Sequence, residues 1–311
     1  MEKKRVVYFG SPEFSLPPLK TLYLGGYDIV GVYTQEPKKK FRGQKKYNTP
    51  VQQWAESQLL PVFTPKILDD TSLKEFQSLK PDVAILFAYG KIVPLNWLNT
   101  PLNGFINIHA SLLPKWRGAA PIQRAIEAGD IKTGCTSMLM EKGLDTGPMI
   151  HKKEILIKME NDVIDLFKSL SLLTAECLHE TIQKLISGDS KQTPQNNLEA
   201  SYAHKLTKKE GLINWNNNSL DIYNKMRAFK IFPGTYFYYK NDKINIIDGY
   251  PLNKKHNENP GTILTTSDNI QIACSKNTVF QINSLKKSGK KSMSAKEFLN
   301  GHNFNVGEVI D

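Results

Sequence analysis

Asn107 and His109 stand two residues apart in the run Phe105-Ile106-Asn107-Ile108-His109. On a strand that spacing projects both side chains from one face. A carboxamide there can donate a hydrogen bond to a developing oxyanion, and an imidazole can move a proton near neutral pH. The same pair also suits a turn or a packed strand end, so type and spacing alone leave catalysis and packing both open. A third chemically able group is Asp145, in Glu141-Lys142-Gly143-Leu144-Asp145-Thr146-Gly147. Glycines on either side predict a tight loop that presents the carboxylate, although an aspartate so placed is also an ordinary turn former.

Other chemistries find less support. The six histidines show no HxxxH or HxH spacing, so no metal site is expected. Ser111, His109 and Asp145 make a nucleophilic triad on paper, but no GxSxG elbow accompanies Ser111. Cys135, Cys177 and Cys274 are isolated, which predicts buried reduced thiols rather than disulfides.

The elements that must position these groups follow from the pattern. Arg5 to Phe9 is a short apolar run closed by Gly10-Ser11-Pro12, then a helix with Phe14, Leu19 and Leu22, then a buried strand from Asp28 to Tyr33. Strand, turn, helix, strand opens a βαβ unit and implies a parallel sheet whose first turn faces a ligand. No GxGxxG is present, so a dinucleotide site is not expected. Amphipathic helices are predicted over Thr49 to Gln58 and Ser72 to Leu79. Val83-Ala84-Ile85-Leu86-Phe87 reads as a central strand buried on both faces. A loop separates the Phe105 strand from a helix over Ala120 to Ala128. Gly134 to Met140 is a further strand, Ile150 to Leu156 an edge strand, and Val163 to Ile186 a long helix.

Residues 189–206 are polar and read as a linker. The division expected is thus 1–188, linker 189–206, and 207–311. After a helix over Ser219 to Phe229, short alternating strands (Tyr236 to Tyr239, Ile244 to Asp248, Thr262 to Leu264, Ile270 to Ala273, Val279 to Leu285) fit a small β-barrel. The expected class is therefore α/β, a Rossmann-like, mostly parallel sheet domain followed by a small barrel.

The 311 residues are 40% hydrophobic and 23% charged, enough for a globular core, with no run of about 18 apolar residues. Without a cleavable signal pattern, the cytoplasm is the expected location. The net charge is +11. From Ala200 onward there are 16 Lys+Arg against 9 Asp+Glu, and a second concentration runs from Lys38 to Lys46. A polyanionic partner such as nucleic acid explains this balance, and so does a merely solvated surface.

Asn107-Ile108-His109-Ala110-Ser111-Leu112-Leu113-Pro114, continued by Lys115-Trp116-Arg117-Gly118-Ala119-Ala120-Pro121-Ile122, resembles the core motif of the 10-formyltetrahydrofolate-dependent formyltransferases, as does Gly143-Leu144-Asp145-Thr146-Gly147-Pro148. The likeness extends from about Arg5 to Gly301. Gly10-Ser11-Pro12-Glu13-Phe14 matches the opening motif with Ser11 where threonine is usual. Ile213-Asn214-Trp215 matches a junction motif in which aspartate often precedes the tryptophan.

The resemblance implies that Asn107, His109 and Asp145 are catalytic. It implies that Ser111, Leu112, Leu113 and Pro114, with backbone from Phe87, Ala88, Tyr89 and Gly90, bind the folate. The side chain of Tyr89 is equally suited to packing. Within the family the expected activity is formyl transfer from 10-formyltetrahydrofolate to the α-amino group of methionine on initiator tRNA, by a monomer, without a metal or membrane. The basic loop then contacts the acceptor end of tRNA through Arg42, with Lys40, Lys45 and Lys46. An OB-like C-terminal barrel offers Lys286, Lys287, Lys290 and Lys291. Rival expectations are a formyltransferase of a sugar nucleotide or purine precursor, a formyltetrahydrofolate hydrolase, and a non-catalytic tRNA-binding protein on the same scaffold.

Overall fold

Alternation of strand and helix along the first half of the chain produces the architecture it predicts. In a computed structural model, residues 4–40, 45–240, 242–302 and 304–310 are described, with the side chains at 39, 40 and 45 outside that description. A seven-stranded sheet runs in the order Met149–Leu156, Lys132–Leu139, Phe105–His109, Val83–Leu86, Arg5–Phe9, Asp28–Tyr33, Val62–Phe63. The last five of these are mutually parallel. Lys132–Leu139 and Met149–Leu156 complete the sheet in antiparallel register. Chain order reverses between Arg5–Phe9 and Val83–Leu86, which creates a crevice beyond their carboxyl ends.

The helices begin where their caps dictate. Thr49 accepts from the Gln52 N–H at the start of Pro50–Ser57, and Asp69 and Ser72 form a reciprocal capping box on Asp70–Ser78. The long helix is Val163–Ser187.

The core beneath the crevice is aromatic. Phe9 stacks on Tyr33 at 4.7 Å and meets Phe76, Tyr89, Trp97 and Phe105 edge-on or tilted. Trp97, with no exposed surface, stacks on Phe76 at 4.8 Å. Trp97→Ala is expected to cost about 3–5 kcal/mol, because so large a void cannot collapse among rings held by the sheet. Denaturant unfolding of the full chain measures this; a loss below about 1 kcal/mol would show that the cluster rearranges freely.

The chain divides into two compact units. The first comprises Met1–Pro121, Lys132–Leu156 and Phe167–Ala203, and the second Ile122–Ile131, Ile157–Leu166 and His204–Asp311. The stretch expected to be a linker, 189–206, is therefore mostly structured. Tyr202–Ala203 pairs in parallel with Arg117–Gly118, and Thr193 bridges to Met149. Its polar composition hides this, because what docks is backbone rather than an apolar face.

The second unit is built on antiparallel strands Thr235–Tyr239, Asp242–Leu252, Thr278–Lys287, Ile270–Cys274 and Ile263–Thr265 in that order. They enclose a core that includes Trp215, Phe237, Phe280 and Phe298. Asn214 Oδ1 accepts from the Asn216 N–H at 3.0 Å, an Asx turn that aspartate forms equally well, so that departure preserves the geometry.

One expectation is corrected. The basic loop lacks strand propensity, yet Lys38–Lys40 and Lys45–Tyr47 pair antiparallel. Mutual hydrogen bonding of the backbone outweighs the poor propensity of lysine. The register sets Lys39 opposite Lys46 and Lys40 opposite Lys45.

Candidate active site

Phe105–His109 is buried at all five positions, between Val83–Leu86 and Lys132–Leu139. Asn107 and His109 emerge at its end, 8% and 6% exposed. The loop that follows is fastened from the neighbouring strand. The Thr136 hydroxyl donates to the Ser111 carbonyl at 2.8 Å and accepts from the Leu113 N–H at 3.1 Å. Ser111 donates to the Lys115 carbonyl, and Lys152 Nζ donates to that of Leu113. Burial pushes the Lys152 ammonium below its ordinary range.

This anchoring delivers Trp116, in the left-handed region with φ +63°, so that its carbonyl meets His109 Nε2 at 2.7 Å. A carbonyl only accepts, so Nε2 carries the hydrogen of this contact. Nδ1 lies 3.5 Å from Asp145 Oδ2.

Asp145 arrives from the loop between Lys132–Leu139 and Met149–Leu156, itself at φ +53°. The glycine after it is required: a Cβ on Gly147 would lie 1.8 Å from the Leu139 carbonyl oxygen. The carboxylate accepts from Asn107 Nδ2 at 3.2 Å through Oδ1 and from the Gly118 N–H at 2.9 Å through Oδ2. The three residues singled out on spacing thus converge. Asn107 commits one amide hydrogen to Asp145 and keeps the other. An arrangement of this kind can polarise a carbonyl, stabilise an oxyanion and hold an imidazolium.

A cavity of about 480 Å³, a volume suited to a small ligand, opens beyond the strand ends. Ser11, Phe14, Gln35, Thr49, Ala88 and Gly90 line it, and Ala119 extends it to the residue beside Gly118. Ser11 Oγ donates to the Tyr89 carbonyl and accepts from the Gln35 N–H, both at 3.1 Å. Its hydroxyl does the work, so serine in place of the usual threonine keeps the contact.

Of the residues expected to take a folate, Ala88 and Gly90 reach this cavity. Phe87 and Tyr89 are buried, with the Tyr89 ring in the aromatic core and its phenol held above the ordinary range by burial. Leu113 packs on Met138 and Met149, and the structure does not bring Ser111, Leu112, Leu113 or Pro114 to the cavity wall.

Among the expected cations, Lys46, Lys286, Lys290 and Lys291 are exposed, and Lys287 pairs with Asp242 at 2.6 Å. Lys40 and Lys45 are placed by backbone register only, and Arg42 lies outside the described residues. Among the described residues, no group of His, Cys, Asp and Glu is arranged to hold a metal ion, and no helix is long and apolar enough to cross a membrane.

Sequence reasoning passed over Arg117, Gln195 and Ser201. Arg117 is 2% exposed and donates to Gln195 and Asn197. Ser201 Oγ accepts from the Trp116 N–H at 3.0 Å. Periodicity gives no sign of them, since each acts through polar contacts across a long sequence interval.

With this geometry established, similarity to known proteins is informative. The family described as "Formyl transferase" matches residues 4–182, and "Formyl transferase, C-terminal domain" matches residues 205–303. A methionyl-tRNA formyltransferase of Marinobacter nauticus is 42% identical over 299 residues, covering 96% of each chain. One of Caldanaerobacter subterraneus is 39% identical over 308 residues, covering 98% of this chain and 99% of the relative. In fold, the chain is similar to an N-formyltransferase from Helicobacter canadensis solved with folinic acid and dTDP-3-aminofucose. The TM-score is 0.71 at 20% identity, over 92% of this chain and 100% of that one. A methionyl-tRNA formyltransferase from Clostridium thermocellum matches with TM-score 0.54 at 14% identity, over 79% and 92%.

Proposed function

The chain belongs to the formyl transferase family, and from that membership we infer that it formylates the α-amino group of methionine on initiator tRNA, drawing the formyl group from 10-formyltetrahydrofolate. The observation that carries this reading is identity of about 40% with methionyl-tRNA formyltransferases over nearly the whole of both chains. The N-formyltransferase solved with a sugar nucleotide is similar in fold alone, at 20% identity.

The chemistry accounts for the residue types. The methionyl amine attacks the formyl carbon, a C–N bond forms, and the carbonyl oxygen becomes an oxyanion. The bond from that carbon to the folate nitrogen then breaks, the amine loses a proton and the folate nitrogen gains one. Asn107 offers the oxyanion its uncommitted amide hydrogen. His109 joins it when its Nε2–H exchanges the Trp116 carbonyl for the substrate oxygen. Asp145 orients the imidazole, balances its charge when Nδ1 is protonated, and relays the amine proton.

The cavity at the strand ends receives the folate, with the backbone at Ala88 and Gly90 reading the edge of its ring. The cations at Lys40, Arg42, Lys45 and Lys46 meet the acceptor end of the tRNA. A strand pair that sets lysine opposite lysine is relieved by a polyanion, since like charges across a strand pair repel. Lys286, Lys290 and Lys291 are a further set of cations, in the second unit, with Lys287 partly neutralised by Asp242.

The deciding experiment is formyl transfer to charged initiator tRNA, with uncharged tRNA and free methionine as controls. Product only with the charged tRNA is expected; folate turnover without formylated tRNA would refute this acceptor. In the same assay Arg42→Ala is expected to raise KM for charged tRNA by about 10–100-fold, the range of a lost charge-assisted contact. Its KM for folate should stay unchanged, and equal loss of both would make the loop structural.

A further inference from the structure

We propose that Gln195 is a positioning residue that holds Asp145 in its working orientation; this rests on the catalytic reading of Asp145 above. Both hydrogens of its side-chain amide are spent on the Asp145 loop. Nε2 donates to the backbone carbonyls of Asp145 and Gly147, each at 2.8 Å. Its oxygen accepts from Arg117 Nε at 3.0 Å and Nη2 at 2.8 Å. Arg117 in turn follows Trp116, whose carbonyl holds His109. One carboxamide therefore ties the loop carrying the carboxylate to the loop fixing the imidazole.

The loop needs such a tie. A non-glycine residue at φ +53° is in a sparsely populated region and costs about 1–3 kcal/mol unless its surroundings hold it. The Gly147 contact with Leu139 closes the loop on its strand side. Gln195 closes it on the other. Without the two N–H bonds the 145–147 peptides are free to relax, and the carboxylate leaves Asn107 Nδ2 and the Gly118 N–H.

The docking of the surrounding segment does not depend on Gln195. Backbone bonds Arg117 N to Ser201 O, Ser201 N to Pro114 O, Ala119 N to Ala203 O, and the reciprocal pair of Thr193 with Met149 hold it independently. Gln195 also falls between the two stretches matched to the family, 4–182 and 205–303, so membership by itself does not assign it a role.

The test compares Gln195→Ala, Gln195→Glu, Asn197→Ala and Asp145→Asn in the full chain by kcat, both KM values and thermal midpoint. Gln195→Glu is isosteric and retains a partner for Arg117, but sets oxygen without hydrogen against two carbonyls. Asn197 touches the same Arg117 and not the Asp145 loop, which makes its variant the control for docking alone. Both Gln195 variants are expected to lower kcat by about 10²-fold, the cost of a misplaced reacting group, with little change in either KM. Asn197→Ala should keep the parent kcat. Parent-level kcat in the Gln195 variants would overturn the proposal, as would an equal loss in Asn197→Ala. Parent-level kcat in Asp145→Asn would instead overturn the catalytic reading on which it rests.

Discussion

His109→Ala is expected to slow formyl transfer by about 10²–10⁴-fold, the range for losing a positioned acid–base group, while affinity for charged initiator tRNA stays unchanged. The imidazole is 6% exposed and contacts protein at both nitrogens, through the Trp116 carbonyl at 2.7 Å and Asp145 at 3.5 Å. No cation of the proposed tRNA surface is among these contacts. Truncation orphans the Trp116 carbonyl at a cost of about 1–3 kcal/mol in stability, so the rate must be measured on chain shown to be folded. Pre-steady-state transfer with saturating tRNA separates the chemical step from binding. Turnover retained near the parent value would remove His109 from the mechanism.

Asp145→Asn is expected to lose about 10²–10³-fold in kcat without unfolding the chain. The carboxylate accepts on both oxygens, from Asn107 and from the Gly118 N–H. An asparagine there can keep its oxygen on Gly118 and turn its NH₂ toward Asn107. The Asn107 amide must then flip to present its own oxygen. That exchange satisfies every hydrogen bond, which is why the fold survives. It also turns Asn107's remaining donor away from the reacting carbonyl and strips His109 of its charge partner. The two losses are coupled, so an Asn107→Ala, Asp145→Asn double variant should be far less impaired than the product of the two single effects. Multiplicative loss would mean that the residues act independently.

What could be read beforehand follows from how each group is held. Asn107 and His109 sit on a regular strand, so their common face is dictated by a two-residue period. Asp145 is announced by its glycines, and the parallel sheet by the succession of apolar runs and caps. Gln195, Arg117 and Ser201 are held by polar contacts between loops far apart in sequence, which leave no periodicity in the chain. The polar composition of 189–206 points to a linker, whereas the backbone of Ser201 and Ala203 docks on 114–120. The pairing of 38–40 with 45–47 is missed for a related reason, since backbone pairing rather than side-chain preference creates it. The Ser11 and Asn214 departures keep their contacts because a hydroxyl and an Asx oxygen, not the particular side chain, make them.

The strap that carries Gln195 also sets a schedule. Gln195 is translated 50 residues after Asp145, and at about 5–20 residues per second that interval lasts about 3–10 s. Throughout it the nascent chain already contains Asn107, His109 and Asp145, without the carboxamide tie on the Asp145 loop. A polypeptide released before residue 195 would contain every reacting group but lack the tie proposed to hold its aspartate.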